Sequence, residues 1–222
     1  MVQAARRMSS SGASTRERLK LAARRLIAEH GPGGVTVRDI LAASEERNGA
    51  SLNYYFGSKD ELIREIITDL FTTADERWGR GFAELLERSP SPSVRELVSL
   101  IVELSDMSER EEVPTMARLV HRFATQGYYD VVSSVLKQYR LCNYDRILAK
   151  IVEAAPHIPA SLMRQRLVFL TRYMTAILAL HESVLVQGSA RQKALVSTDR
   201  NRGNLIDTAV GLITAECVDG LA

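Results

Sequence analysis

Twice within the first sixty-one residues the chain reads Ser-x-x-Glu ahead of an apolar run at helical spacing: Ser14-Thr15-Arg16-Glu17 and Ser58-Lys59-Asp60-Glu61. A hydroxyl followed three residues later by a carboxylate satisfies two otherwise unpaired backbone donors and marks a helix start. After the first signature, Leu19, Ala22, Ala23, Leu26 and Ile27 recur at i, i+3, i+4 spacing, and Gly31-Pro32-Gly33-Gly34 ends the run. After the second, Leu62, Ile66 and Leu70 open a long helix predicted to reach about Glu87, before Ser89-Pro90-Ser91-Pro92-Ser93. Between them, Thr36-Val37-Arg38-Asp39 starts a short helix through Ile40, Leu41 and Ala43. A polar break, Ser44–Asn48, then leads into the aromatic stretch Leu52–Phe56. Few segments sustain period-2 alternation, so the chain is constrained to an all-α fold.

Downstream, the same periodicity predicts helices at about 93–107, 114–124, 128–154, 160–187 and 202–218. Pro114, Gly127, Pro156 and Pro159 fall at the breaks. The expectation is about nine helices in all: an N-terminal three-helix helix-turn-helix domain over 14–60, then a larger bundle over 61–222. Residues 1–13 are expected to form a disordered basic tail, and the polar segment Gly188–Gly203 a mobile connection. Leu167–Leu180 is apolar almost all round apart from Arg172. Such a helix has to be covered on both sides, by its own core and by a second subunit.

Charge is unevenly distributed. Residues 1–25 hold seven basic side chains (Arg6, Arg7, Arg16, Arg18, Lys20, Arg24, Arg25) against Glu17 alone. Residues 65–222 carry eighteen basic and twenty acidic groups. A basic end on a near-neutral body points to a polyanionic partner there, although a solvated basic helix face gives the same run. Other classes are disfavoured. The longest uncharged apolar stretch in the C-terminal half, Tyr173–His181, is well short of the ~20 residues of a membrane span. No apolar segment of a secretory signal follows Arg6 and Arg7. Cys142 and Cys217 form neither a disulfide framework nor a zinc motif. The four histidines (His30, His121, His157, His181) lack ligand spacing, and no phosphate loop or nucleophile motif occurs. A soluble, cytoplasmic protein without enzymatic activity, cofactor or metal is expected.

With Arg47–Phe56 taken as a helix, each residue advances about 100°. Leu52 and Phe56 then share an inner face, with Tyr55 and Asn48 beside them. Arg47, Ala50 and Tyr54 point the opposite way, flanked by Ser51 and Asn53. The outer face offers guanidinium, amide, hydroxyl and phenol groups that suit base edges and phosphates. Gly49 and Ala50 are small enough for close approach to a groove floor.

The segments TRERLKLAARRLIAEHG, VTVRDILAAS and SLNYYFGSKDELI together resemble the N-terminal domain of tetracycline-repressor-type (TetR) regulators over roughly residues 14–67. The resemblance implies a regulator that binds double-stranded operator DNA. It also implies a helical effector body dimerising through its last long helices, about 160–187 and 202–218. Carried over by position, Thr36 would contact phosphate with Arg38 on the exposed side, and Leu52 and Phe56 would be buried anchors. Ser51 stands where a threonine is common, Tyr54 is the usual phosphate-contacting tyrosine, and Lys59 opens the next helix beside the DNA backbone. Two departures stand out: Tyr55 replaces the usual histidine, and Asn53 a common tyrosine. The turn SEERNGAS is also one residue longer than the commonest form, which bears on the aim of Arg47 and Asn48. Tyr55 either stacks in the small core or reaches a phosphate. Asn53 either pairs with adenine or stays solvated, and Arg47 either contacts DNA or is a solvated charge.

An effector pocket in the bundle would be largely apolar with a few polar handles, and would take a small apolar or amphipathic molecule. His121, Tyr139 and Tyr173 are the candidate handles. They come from a set that also includes Met107, Met116, Phe123, Tyr128, Tyr129, Cys142, Tyr144, Arg172, Met174 and His181. The expected function is a homodimeric, ligand-released repressor. The alternatives are an all-α ligand-binding or enzymatic bundle that has lost DNA binding, or a regulator that activates or lacks an effector.

Overall fold

The computed structural model describes residues 14–105, 116–196 and 198–216. The cap signatures form as read. Ser14 Oγ accepts from Glu17 N at 3.2 Å and Ser58 Oγ from Glu61 N at 3.1 Å. Thr36 and Asp39 make a reciprocal capping box, Thr36 N donating to Asp39 Oδ2 at 2.9 Å and Asp39 N to Thr36 Oγ1 at 3.2 Å. The helices are α1 (Thr15–His30), α2 (Val37–Ala43), α3 (Ser51–Phe56), α4 (Lys59–Arg88), α5 (Val94–Ser105) and α6 (Met116–Thr125). They continue with α7 (Tyr129–Gln138), α8 (Asn143–Ala154), α9 (Ala160–Gln187), α10 (Ala190–Val196) and α11 (Asp199–Thr214). The architecture is all-α.

Among the described residues there are eleven α-helices where about nine were expected. One extra helix comes from 128–154, which breaks in two. Arg140 takes a left-handed conformation (φ 53°), Arg140 N donates to Lys137 O, and Leu141 N donates back to Leu136 O at 3.0 Å. That pair of bonds is a Schellman stop, normally built on glycine. Asp75 of α4 then starts α8, accepting from Asn143 N at 2.8 Å and from Asn143 Nδ2 at 2.7 Å. The second extra helix is α10, inside the segment expected to be a mobile connection. Ser189 caps it by exchanging bonds with Gln192. The last helix starts at Asp199, capped by Thr198, and stops at Thr214. The basic tail 1–13, Met107, Pro114 and Cys217 lie outside the described residues.

Two apolar cores result. The first gathers Leu19, Ile27, Ile40, Leu52 and Ile63, and reaches into the body through Met116, Leu119 and Phe123 of α6. The second gathers Phe82, Leu97, Ile101, Ile147, Leu170 and Ile213. The N-terminal unit therefore does not close at residue 60. α4 gives Leu62, Ile66, Leu70 and Ala74 to the first core and Phe82 and Leu85 to the second.

Two polar clusters hold these parts in register. Arg16 grips Glu65 through both guanidinium nitrogens, and Lys20 Nζ donates to Glu65 at 2.9 Å and to Asp69 at 2.5 Å, tying α1 to α4. Burial disfavours the Glu65 charge, but the bonds from Arg16 and Lys20 outweigh it and hold the carboxyl below its ordinary range. In the body, Glu182 of α9 is 2% exposed and accepts from Ala117 N and Arg118 N, each at 2.9 Å. It thus caps α6 from a neighbouring helix, with Arg118 Nε 3.8 Å away. A carboxylate is favoured there by the unpaired N–H groups and positive end of the α6 dipole.

Replacing Glu182 by Ala is expected to cost about 2–4 kcal/mol, because two buried N–H groups and a buried guanidinium lose their anion. Urea unfolding measures it. Glu65→Gln is expected to cost about 1 kcal/mol at pH 7, since Arg16 is partly exposed. A depressed carboxyl contributes its stability above the unfolded pKa of about 4.3 and loses it as pH falls through the lower folded value. The difference between wild type and Glu65→Gln should therefore close below about pH 4; a gap that persists would contradict the assignment.

Candidate nucleic-acid interface and internal cavity

α2 and α3 are joined by the turn that sequence spacing left open. Glu45 adopts φ 57°, Glu45 N donates to Ala42 O at 3.2 Å, and Glu46 N donates to Leu41 O at 3.0 Å. This is a second Schellman stop on a residue other than glycine. Asn48 then builds the next bend: its Oδ1 accepts from Ala50 N at 3.0 Å, and its carbonyl accepts from Ser51 N at 3.0 Å. Glu46 braces the bend, accepting from Asn48 N at 3.3 Å while its other oxygen lies 3.5 Å from Arg18.

The helix assumed to begin at Arg47 therefore begins at Ser51. Arg47, Asn48, Gly49 and Ala50 form an exposed turn in front of it. Ser51 is the correction to the outward face: at 5% exposed it sits beneath the turn. Leu52 and Phe56 are buried as expected, and the Arg16 guanidinium lies 4.8 Å over the Phe56 ring. Asn53 is exposed, Tyr54 is 82% exposed, and Tyr55 is 38% exposed rather than stacked in the core. The two tyrosine rings meet edge to face at 5.0 Å. Gly57, at φ 80°, then turns the chain directly into the Ser58 cap of α4.

Thr36 and Arg38 are exposed at the start of α2. The Thr36 hydroxyl donates to Asp39 at 2.6 Å, and the Thr36 bonds hold the Asp39 carboxyl below its ordinary range. Lys59 is half-buried, and its ammonium donates to Pro32 O at 3.0 Å and Val35 O at 2.8 Å. That accounts for a cation at a helix N-terminus by loop carbonyls, leaving one of three donors. Arg38, Arg47, Asn48, Asn53, Tyr54 and Tyr55 are thus presented outward from consecutive elements. This is a helix-turn-helix whose short second helix offers amide, phenol and guanidinium groups.

A cavity of about 490 Å³ lies in the body, walled by α4, α5, α6, α7, α8 and α9. Apolar groups such as Leu70, Phe71, Ile101, Val120, Leu136 and Leu178 dominate its lining. Its polar members are Asp75, Trp78, Tyr144, Asp145, Thr171 and Arg172, together with Ser105, Tyr129 and Thr175. Burial pushes the Tyr144 phenol up to about 12, the Tyr144–Thr171 bond at 3.1 Å acting the other way. His121, Tyr139 and Tyr173 fall outside this lining. Tyr139 ends α7 half-exposed, and Tyr173 packs on the second core. The residues that spacing missed are Asp75 and Trp78, and the signal available was the chain's one tryptophan.

These features define a helix-turn-helix DNA-binding protein with a helical body. Residues 21–66 match the family model of bacterial regulatory proteins, tetR family. Over that segment the chain carries the DNA-binding domain of a tetR-type transcriptional regulator. Among solved structures, an alanine-substituted mutant of HlyIIR is 17% identical, with 92% of this chain and 99% of that chain covered at a TM-score of 0.56. A second HlyIIR mutant, carrying a linker with thrombin sites, is 16% identical, covering 91% and 98% at a TM-score of 0.53. GusR of Salmonella enterica is 24% identical, covering 90% and 95% at a TM-score of 0.48. The HlyIIR likeness extends the shared fold across both cores. No curated protein sequence matches the chain.

Glu45 carries a side chain where the backbone favours glycine. Glu45→Gly is expected to raise stability by about 0.5–1 kcal/mol, despite the greater freedom it gives the unfolded chain. Glu45→Val should lower it, and thermal midpoints of the two variants on either side of wild type check the assignment.

Proposed function

We propose that the protein is a homodimeric, ligand-released repressor acting in the cytoplasm, binding a palindromic operator with one α3 in each of two successive major grooves. The outward set Arg47, Asn48, Asn53, Tyr54 and Tyr55 carries the DNA part of this reading. Tyr54 is an exposed phenol with no inward role, since Leu52 and Phe56 already fill the inner face. Gly49 and Ala50 leave the turn free of bulk where it would approach the groove. Thr36 and Arg38 flank the set on the phosphate side, and Lys59 keeps one donor for the backbone.

The dimer reading is supported by α9. Phe169 and Leu180 are 57% and 56% exposed on its outer side, an apolar face without cover in a single copy. By length and composition α9 could also cross a membrane, but it carries Arg166 and Glu182 buried inside the bundle. Arg166 donates to Ile213 O at 2.6 Å, which joins α9 to α11 and makes that pair one surface for a second copy.

The cavity supports the ligand part. α6 lines it through Met116, Ala117, Val120 and Ala124, and its far end docks on the DNA-binding unit. There Arg122 donates to Glu29 O at 2.9 Å, and Gln126 is seated on Gly31, where any Cβ would lie 2.1 Å from its Oε1. A ligand that fits one α6 position better than another would bias the spacing of the two α3 helices. A ~100-fold preference amounts to about 2.7 kcal/mol.

Fluorescence-anisotropy titration against duplexes from the DNA flanking the gene, over a range of salt, tests the reading. Wild type should bind one palindromic duplex preferentially, with affinity falling steeply as salt rises. Tyr54→Phe and Arg47→Ala should each weaken binding, and Arg47→Ala should reduce the salt slope by about 0.9 if it neutralises one phosphate. A wild-type protein with no salt-dependent preference for any duplex would leave the alternative, a helical bundle that has lost DNA binding.

A further inference from the structure

Trp78 occupies an unusual position. It lines the cavity, stacks on Tyr144 with ring centroids 4.8 Å apart, and packs against both apolar cores. Its indole Nε1 is buried and has no hydrogen-bond partner. Buried N–H groups are almost always paired, and an orphan calls for a physical reason. The other polar groups around it do not share this state. Tyr144 bonds Thr171, Thr171 donates to Leu167 O at 3.0 Å, and Thr175 donates to Thr171 O at 3.0 Å. Both Asp75 oxygens accept from Asn143. The charged Asp145 and Arg172 are exposed at the rim. Among the described residues the interior thus presents mainly apolar surface and internally satisfied oxygens, with one unmet donor buried behind it.

We infer that the cavity takes a neutral, mainly apolar molecule bearing one hydrogen-bond acceptor, and that Trp78 Nε1 is the donor that anchors it. This rests on the reading that the cavity is the effector site, and it names the chemistry of that effector. A neutral molecule is favoured because an ion held in this interior would meet no free counter-charge among the described interior residues, and burying an unpaired charge is far costlier than burying a carbonyl. An acceptor is required because an indole offers a donor only. The cavity volume suits a compact ligand. Since Nε1 has no exposure while the rest of the ring lines the cavity, an acceptor reaches it only as the ring turns. That turn repacks a side chain held between the two cores, so the occupied and empty proteins differ at their junction.

Four matched probes separate the possibilities: 4-phenylbutan-2-one, butylbenzene, 4-phenylbutylammonium and 4-phenylbutanoate. Their affinities are read by displacement of Nile red from wild type and from Trp78→Phe. The ketone-to-hydrocarbon affinity ratio should fall about tenfold in Trp78→Phe, the loss of one buried hydrogen bond. In wild type, the N–H vibration of this single tryptophan should move to its hydrogen-bonded frequency with the ketone and stay in place with butylbenzene. That second readout needs no variant to fold. An unchanged ratio, an unmoved vibration, tightest binding by either ion, or no binding by any probe overturns the inference. Operator release is measured separately. A ketone that binds through Trp78 but leaves the DNA complex intact upholds the inference and removes ligand release from the proposed function.

Discussion

The structure depends on the continuity of α4. Thirty residues from Lys59 to Arg88 run without a break, about 45 Å at 1.5 Å per residue. The helix starts two residues after Gly57, which ends α3, and it finishes inside the second core. A helix transmits position because interrupting it forfeits several backbone bonds together. The near end is fixed three ways. Ser58 caps it, Lys59 ties it to the loop carbonyls of Pro32 and Val35, and Glu65 and Asp69 receive Arg16 and Lys20. The far end is fixed by apolar burial of Phe82 and Leu85.

A second connection runs through α6, and it depends on a charge. Glu182 satisfies the first backbone donors of α6, so the helix has a defined origin on α9. Its apolar side packs Leu119 and Phe123 into the first core, and the Gln126 side chain rests directly on Gly31, whose φ of 76° favours glycine. A buried carboxylate is costly unless its lone pairs are met, and here two N–H groups and the Arg118 side chain meet them. The body and the DNA-binding unit are thus joined by one covalent helix and one docked helix, and both touch the cavity.

Legibility followed chemistry that leaves a local mark. Ser14, Thr36 and Ser58 announce their helices because a cap requires a hydroxyl at one position and a carboxylate three residues on. The outward Asn53 and Tyr54 were readable because Leu52 and Phe56 fix the inward direction. The start of α3 was not, since its turn relies on Glu45 in a left-handed conformation that glycine would have signalled. Arg140 hid the break between α7 and α8 in the same way. Ser51 was misplaced because a helical wheel assumes a helix that had not yet begun. The cavity was the least readable part. Its walls come from six helices far apart in sequence, so His121, Tyr139 and Tyr173, chosen for their chemistry, had no positional support. Asp75 and Trp78 sit three residues apart on α4, yet nothing local tells that one starts α8 and the other faces a void.

The position of Trp78 gives the two connections a common control point. It lies on α4 beyond the ionic clamp, where side chains of both cores meet, and it shares the cavity wall with Met116, Ala117 and Val120 of α6. An acceptor that bonds the indole has to turn the ring, which shares its wall with the first turns of α6. Close packing offers few intermediate arrangements, so such a displacement moves the molecule between discrete states. The free energy separating those states comes from the difference in how each receives the ligand, not from its total affinity. A buried donor without a partner, just behind that wall, is a direct source of such a difference. It is idle in one arrangement and bonded in the other, at the junction where α4 passes from one core to the next.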